Sequence, residues 1–229
     1  MITVLIAQDP SLDSSEPRTT LCDAPDLFVL GTVEHQGLTQ AVHTLQPDIL
    51  VLDSMRLSWS AVRDTHRVTA RCVQTHVVIV SAYAEHASLM HALRSGVAGV
   101  VLRPFEQSEL IHAVREVASG RYHLSPRLWR TLEAQAEQRR DTVALAVKLT
   151  AAERQVLEMV AVGIGATGIA PRPALTQAGV KACCKTLMRK LGLPTHADLF
   201  VYALHWHIAV MPQRGPASFG GLQRILAAR

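Results

Sequence analysis

Four positions in the first half of the chain carry residue types suited to phosphoryl chemistry. Asp9, Asp53, Ser81 and Arg103 each follow a short apolar run: Thr3–Ala7, Asp48–Leu52, His76–Val80 and Gly99–Leu102 respectively. If these runs are parallel strands of one sheet, the loops leaving their C-terminal ends converge on a single crevice. Asp9 and Asp53 would supply oxygen ligands of the kind Mg²⁺ takes in octahedral sets. Asp53 could then accept a phosphoryl group, with the Ser81 hydroxyl and the Arg103 cation beside it. The plainer role of Asp and Ser at strand ends is to cap the helices that follow. The second half offers different chemistry. Lys181 and Lys185 stand four residues apart, so on a helix both amines share a face and reach one phosphate-lined groove. A solvated basic face is the plainer alternative there.

The elements that must position these groups are legible in the hydrophobic pattern. Leu27–Val33 adds a fifth apolar run, and all five are rich in Val, Ile and Leu with few internal charges. Strands buried on both faces of a parallel sheet have this composition. Helical patterns separate them near Ser11–Cys22, Gly37–Leu45, Ser60–Arg71, Glu85–Arg94 and Glu106–Ser119, with Pro17 weakening the first. Five βα units in succession predict an α/β doubly wound domain with five parallel strands over residues 1–120. Residues 121–147 read as a linker helix, Pro126–Arg140, and a loop. Residues 148–211 read as an all-α four-helix domain. Within it, Thr150-Ala151-Ala152-Glu153 forms a capping box, a helix runs over Thr176–Leu191 until Gly192 stops it, and a last helix covers His196–Val210. Residues 212–229, with several Gly and Pro, read as a mobile tail.

Charge divides along the same line. The chain of 229 residues carries a net +4, but residues 1–120 contribute −5 and residues 121–229 contribute +9. A basic second domain suits a polyanionic partner. Arg and His interrupt every stretch approaching a membrane span, and the N-terminus lacks the basic region of a signal peptide. The four cysteines show no CxxC spacing, which suits a reducing cytoplasm.

Val4-Leu5-Ile6-Ala7-Gln8-Asp9, Pro47-Asp48-Ile49-Leu50-Val51-Leu52-Asp53, Val78-Ile79-Val80-Ser81-Ala82 and Val100-Val101-Leu102-Arg103-Pro104-Phe105 together resemble the receiver domain of bacterial response regulators. The resemblance implies that Asp53 matches the residue phosphorylated by a histidine kinase, Asp9 a Mg²⁺-binding residue, and Ser81 the hydroxyl that follows the phosphoryl group. Several positions depart from that family. Gln8 replaces a second acidic residue, Arg103 a lysine, and Val100 the aromatic switch residue, while Ser54–Trp59 lacks the usual proline and glycine. An uncharged amide weakens a Mg²⁺ site, and a planar guanidinium does not replace a compact ammonium. The expectation is an atypical receiver with a vestigial site at Gln8, Asp9, Ser81 and Arg103. Asp53 would be an unused acceptor, with no resident cofactor and Mg²⁺ as the one metal that Asp9 and Asp53 could still hold.

Leu149-Thr150-Ala151-Ala152-Glu153-Arg154-Gln155-Val156-Leu157, followed by Val162-Gly163-Ile164, Val180-Lys181 and Arg189-Lys190-Leu191-Gly192-Leu193, resembles a LuxR-type helix-turn-helix domain. With the receiver-like half before it, the chain is similar to the NarL/FixJ subfamily of response regulators. That resemblance implies a dimeric transcriptional regulator of double-stranded DNA, with the helix Thr176–Leu191 in the major groove. Thr176, Gln177, Val180, Lys181, Lys185 and Arg189 become the candidate DNA-binding residues. A histidine kinase or another protein is the implied input partner. Two prolines, Pro171 and Pro173, together with Gly179 and Ala182, motivate an alternative, a protein–protein adapter whose helix-turn-helix is vestigial. A third reading, an enzyme using the Asp9/Asp53 crevice, is disfavoured by Gln8 and Arg103.

Other signals carry less. Gly163–Gly168 spells GxGxxG but follows a helix, not a strand, so a nucleotide site is not expected there. Cys184 is expected in the core and Cys183 beside Lys181 and Lys185, which would lower its pKa. His205 and His207 fall on different helix faces. The seven histidines before residue 120 show no ligand spacing.

Overall fold

The computed structural model describes residues 1–9, 12, 15–34, 37–57, 59–72, 74–137, 149–161 and 177–210. The chain divides into two compact units, Met1–Ser125 and Pro126–Arg229.

The first unit alternates strands and helices: β1 (Ile2–Gln8), α1 (Glu16–Cys22), β2 (Leu27–Glu34), α2 (Leu38–Leu45), β3 (Ile49–Arg56), α3 (Trp59–Arg71), β4 (His76–Tyr83), α4 (His86–Arg94), β5 (Val97–Leu102), α5 (Gln107–Ala118) and β6 (His123–Leu124). All strand pairs are parallel, in the order β2-β1-β3-β4-β5-β6. Alternation sorts the side chains between the two faces of the sheet. Val4, Ile6, Ile49, Val51, Val78, Val80 and Val101 pack with Leu21 of α1 and Leu110, Val114 and Val117 of α5 in one buried cluster. The intervening Leu5, Leu50, Leu52, Ile79 and Val100 are equally buried on the other face.

Three features differ from the sequence reading. The sheet has six strands, not five, because Ser125 fastens a short extra strand to β5. Its backbone N–H donates to the Val100 carbonyl at 2.9 Å, and its Oγ accepts from the Leu102 N–H at 2.8 Å. Two residues are too few to show a hydrophobic period, so nothing in the pattern announces β6. Helix α1 begins at Glu16, later than expected, with Pro17 in its first turn, where no backbone donor is needed. Finally, β3 and β4 continue beyond Asp53 and Ser81, pairing as far as Arg56 with Tyr83. Nothing in Ser54-Met55-Arg56 breaks a strand, so the ladder runs on.

The second unit contains α6 (Pro126–Glu137), α7 (Ala151–Ala161), α8 (Gln177–Leu191) and α9 (His196–Val210). The scaffold segment 162–176, which includes the GxGxxG string, Pro171, Pro173 and Thr176, lies outside the described residues, as do 138–148 and the tail from 211. Val156, Leu157 and Val160 of α7 are buried with Val180, Cys184 and Leu187 of α8 and Leu199, Phe200 and Leu204 of α9. The expected capping box is present: Glu153 N–H donates to Thr150 Oγ1 at 3.2 Å, and Thr150 N–H to Glu153 Oε2 at 2.7 Å. Thr195 and Asp198 make a second such box at the start of α9, at 3.1 and 3.2 Å. Helix α8 ends where Gly192 takes a φ of 67°, letting Leu193 N–H donate back to the Met188 carbonyl at 2.8 Å. Thr150→Ala should therefore cost about 1 kcal/mol of stability. Urea denaturation of the full chain checks this, and an unchanged midpoint would show that the α7 cap is redundant.

Candidate functional site

The C-terminal edge of the sheet gathers the predicted group only in part. Gln8 ends β1, and Asp9 follows it, donating its N–H to the Asp53 carbonyl at 3.2 Å. Asp53 lies within β3, two residues beyond Val51, and so shares the α1/α5 face of the sheet. Arg103 follows β5 and is held there by its N–H bond to the Ser81 carbonyl at 2.8 Å.

The dominant contact of this edge is an ion pair. Arg103 Nη1 lies 2.7 Å from Asp53 Oδ1, with side-chain exposures of 14% and 1%. The same guanidinium donates through Nε to Glu16 Oε2 at 3.0 Å and lies 5.7 Å from the centre of the Phe105 ring. Arg103 thus joins β3, β5 and α1 through a fork that a lysine could not reproduce. Burial pushes the Asp53 carboxyl above its ordinary value. Arg103 pulls in the opposite direction without cancelling the effect, and the negative charges of Glu16 and Asp9 add to it. Glu16 and Phe105 were not singled out in the sequence. The acidic first turn of α1 is the one local signal for Glu16, and nothing pairs it with a residue 87 positions away.

The other members do not join this group. Ser81 pairs with Ser54 in the ladder, on the face opposite Asp53 and Val80. Its buried hydroxyl donates to the Tyr83 carbonyl at 3.0 Å, with the Met55 carbonyl at 3.3 Å. Gln8 donates its side-chain amide to the Leu12 carbonyl at 2.8 Å. Mg²⁺ does not fit this arrangement. One of the two candidate carboxylates is shut from solvent against a fixed cation, and the expected second acid is an amide.

The second candidate surface is α8. Val180, Cys184 and Leu187 recur at helical spacing and are buried, while Lys181, Ala182, Lys185, Thr186 and Arg189 are exposed. Val180 is therefore a correction to the candidate DNA contacts: fully buried, it anchors the helix and cannot reach a base. Gln177 opens the helix. Lys190 leaves the exposed stripe, donating Nζ to Glu153 Oε2 at 2.8 Å and so tying α8 to the cap of α7. The Cys183 thiol departs from expectation. Burial, with the charge of Glu153, pushes its pKa up, and burial raises the Cys184 thiol to about 11. Neither is poised as a thiolate.

Comparison with known proteins adds an independent line. Residues 147–203 match the family model described as bacterial regulatory proteins, luxR family. The probable transcriptional regulatory protein NarL of Mycobacterium tuberculosis is 31% identical over 158 residues, covering 69% of this chain and 72% of that protein. The nitrate/nitrite response regulator protein NarL of Escherichia coli is 26% identical over 203 residues, covering 87% and 94%. Among solved structures, the RcsB response regulator of Salmonella typhimurium superposes with a TM-score of 0.53 at 19% identity, over 88% of this chain and 97% of that one. At that identity the structural likeness speaks for the fold.

Proposed function

The chain belongs to the NarL-type response regulators with a LuxR-family DNA-binding unit, and from that premise we propose a transcriptional regulator whose receiver works without conventional aspartyl phosphorylation. Its partner is double-stranded DNA, bound through α8. Lys181, Lys185 and Arg189 meet the DNA backbone or a base edge, and Thr176 and Gln177 stand as the candidate contacts before and at the start of the helix. With its family the protein is expected to work as a homodimer in the cytoplasm and to have no enzymatic role. No described helix is long and apolar enough to cross a membrane.

The observation that carries the phosphate-independent part is the Arg103–Asp53 ion pair. An aspartate that accepts a phosphoryl group must present a carboxylate oxygen to the donor beside a divalent cation. Here one oxygen faces a guanidinium, and the carboxylate is buried. Input then reaches the receiver through a partner protein or small molecule, or through dimerisation, and a histidine kinase would act by contact.

Incubation with acetyl phosphate and Mg²⁺ is the test. Intact-mass and peptide mass spectrometry should show no phosphoryl increment on Asp53, and affinity for genomic DNA fragments should be the same with and without the donor. A stoichiometric adduct on Asp53 that tightens DNA binding would overturn the proposal. Folded protein that binds no fragment selectively would favour the adapter alternative.

A further inference from the structure

The α5–β6 corner holds a cluster that the functional reading does not use. His112 and Glu116 sit one turn apart on α5 and so share a face. The chain then reverses at Gly120, whose φ of 79° lets Arg121 N–H donate to the Glu116 carbonyl at 3.0 Å and Gly120 N–H to that of Val117 at 2.9 Å. This reversal lays β6 beside β5, with His123 opposite Gly99, and returns the His123 ring over Glu116. His123 Nδ1 lies 2.8 Å from Glu116 Oε2, and His112 Nε2 lies 3.4 Å from Glu116 Oε1. The two rings meet edge-on, with centroids 5.9 Å apart.

We propose that His112, Glu116 and His123 form a binding site for a borderline divalent transition metal of the Zn²⁺ class. One ligand atom from each of the three residues lies within 4.8 Å of the others. Zn–N and Zn–O bonds of about 2.0–2.2 Å in a tetrahedron separate neighbouring ligand atoms by about 3.3 Å, and with His123 and His112 2.8 and 3.4 Å from the two different oxygens of Glu116, small side-chain adjustments reach that spacing. Two imidazoles and a carboxylate suit Zn²⁺ and its neighbours, not Mg²⁺, which prefers oxygen throughout. The His123 side chain is 10% exposed, and its Nδ1 is the ring nitrogen that faces Glu116. The Glu116 side chain is 8% exposed, so the carboxylate is held in place while exposed His112 leaves an open side for entry. Histidines that lack ligand spacing in sequence are thus brought together by the fold, with the decisive member beyond residue 120.

The surroundings set the terms of binding. Burial pushes the Glu116 carboxyl up, but hydrogen bonds and charge from the two histidines outweigh it and hold it at about 2. Metal ligands bind in their deprotonated forms, so affinity should rise with pH as protons are displaced. Arg121 Nε stands 3.7 Å from Glu116 Oε1 and must yield, whereas Arg115 is held by Asp26 at 2.5 and 2.8 Å. An ion here would clip β6, the last element of the first unit, to α5 immediately before the chain enters the second unit.

The experiment is calorimetric titration of the untagged, chelator-stripped full chain with ZnCl₂, with MgCl₂ as control. One Zn²⁺ per chain is expected, raising the thermal midpoint, with no heat from Mg²⁺. Losing a direct ligand should cost no less than the roughly tenfold typical of outer-shell partners, so His112→Ala and His123→Ala should each weaken Zn²⁺ by at least that factor. His112 is exposed, so its variant tests the site without endangering the fold. Arg121→Ala should tighten binding, because a competing cation is gone. Co²⁺ should give visible bands without a near-ultraviolet thiolate band. Absence of Zn²⁺ binding, an affinity unchanged by both histidine variants, or a thiolate band assigning the ion to cysteine would each overturn the proposal.

Discussion

Replacing Arg103 with methionine should lower the unfolding free energy of the first unit by about 3–5 kcal/mol near neutral pH, the cost of leaving a buried charge without its partner. Domains of this size are stable by about 5–15 kcal/mol, so the variant should lie close to its folding threshold. The loss falls on Asp53, which is 1% exposed and pairs in the sheet with Gln8 on one side and Val80 on the other. Asp53→Asn should cost less, because Arg103 keeps its bond to Glu16 and its place over Phe105. The double variant should recover part of the Arg103→Met loss, since its buried amide carries no charge.

The pH dependence separates this account from a simple packing defect. Burial already raises the folded-state pKa of Asp53, so above its ordinary value the folded chain binds more protons than the unfolded chain. Stability therefore falls as pH rises through that window. Removing Arg103 lifts the folded value further and widens the window. The deficit of Arg103→Met relative to the unaltered protein should shrink between about pH 7 and pH 5. Urea denaturation at both pH values, with hydrogen exchange of β3 peptides, measures it. A deficit independent of pH would mean that the guanidinium contributes packing alone.

Much of this arrangement could be read from residue types, and the exceptions have physical causes. Asp53 was identifiable because a carboxylate closes the run Ile49-Leu50-Val51-Leu52, and the replacement of a lysine by Arg103 was visible once the motif was in view. The burial of Asp53 was not. It depends on β3 and β4 pairing onward to Arg56 and Tyr83, and extensions of three and two residues carry no periodic signal to tell strand from loop. That same continuation pairs Ser81 with Ser54 and turns it to the other face of the sheet from Asp53, because one step along a strand reverses the face. The Arg103–Glu16 bond joins positions 87 apart, and β6 depends on the hydroxyl of Ser125; neither leaves a local trace. In the second unit the pattern was more informative. Val180, Cys184 and Leu187 already marked the inward stripe of α8, and the same periodicity should have removed Val180 from the DNA contacts.

The exposed stripe that remains on α8 yields the other large effect, the double variant Lys181→Ala/Lys185→Ala. If each amine neutralises one phosphate, the plot of log affinity against log salt should flatten by about 1.8, and affinity near 0.15 M salt should fall about 30-fold. The loss should be nearly uniform across DNA sequences, because phosphate contacts position the helix without reading bases. A lysine that instead meets a base edge would leave a different mark, about 1–3 kcal/mol confined to one position of the site. Lys181→Arg and Lys185→Arg should keep the salt slope, since charge and reach are retained. Both lysines are exposed on a helix whose opposite face is fully packed, so the substitutions should leave the thermal midpoint in place. Lys190→Ala should instead lower stability with little change in slope, because its amine is committed to Glu153. Binding to fragments at several salt concentrations distinguishes these outcomes. An unchanged slope in the double variant would remove α8 from the DNA interface, whereas a flattened slope with stability intact would locate the contact on its lysine face.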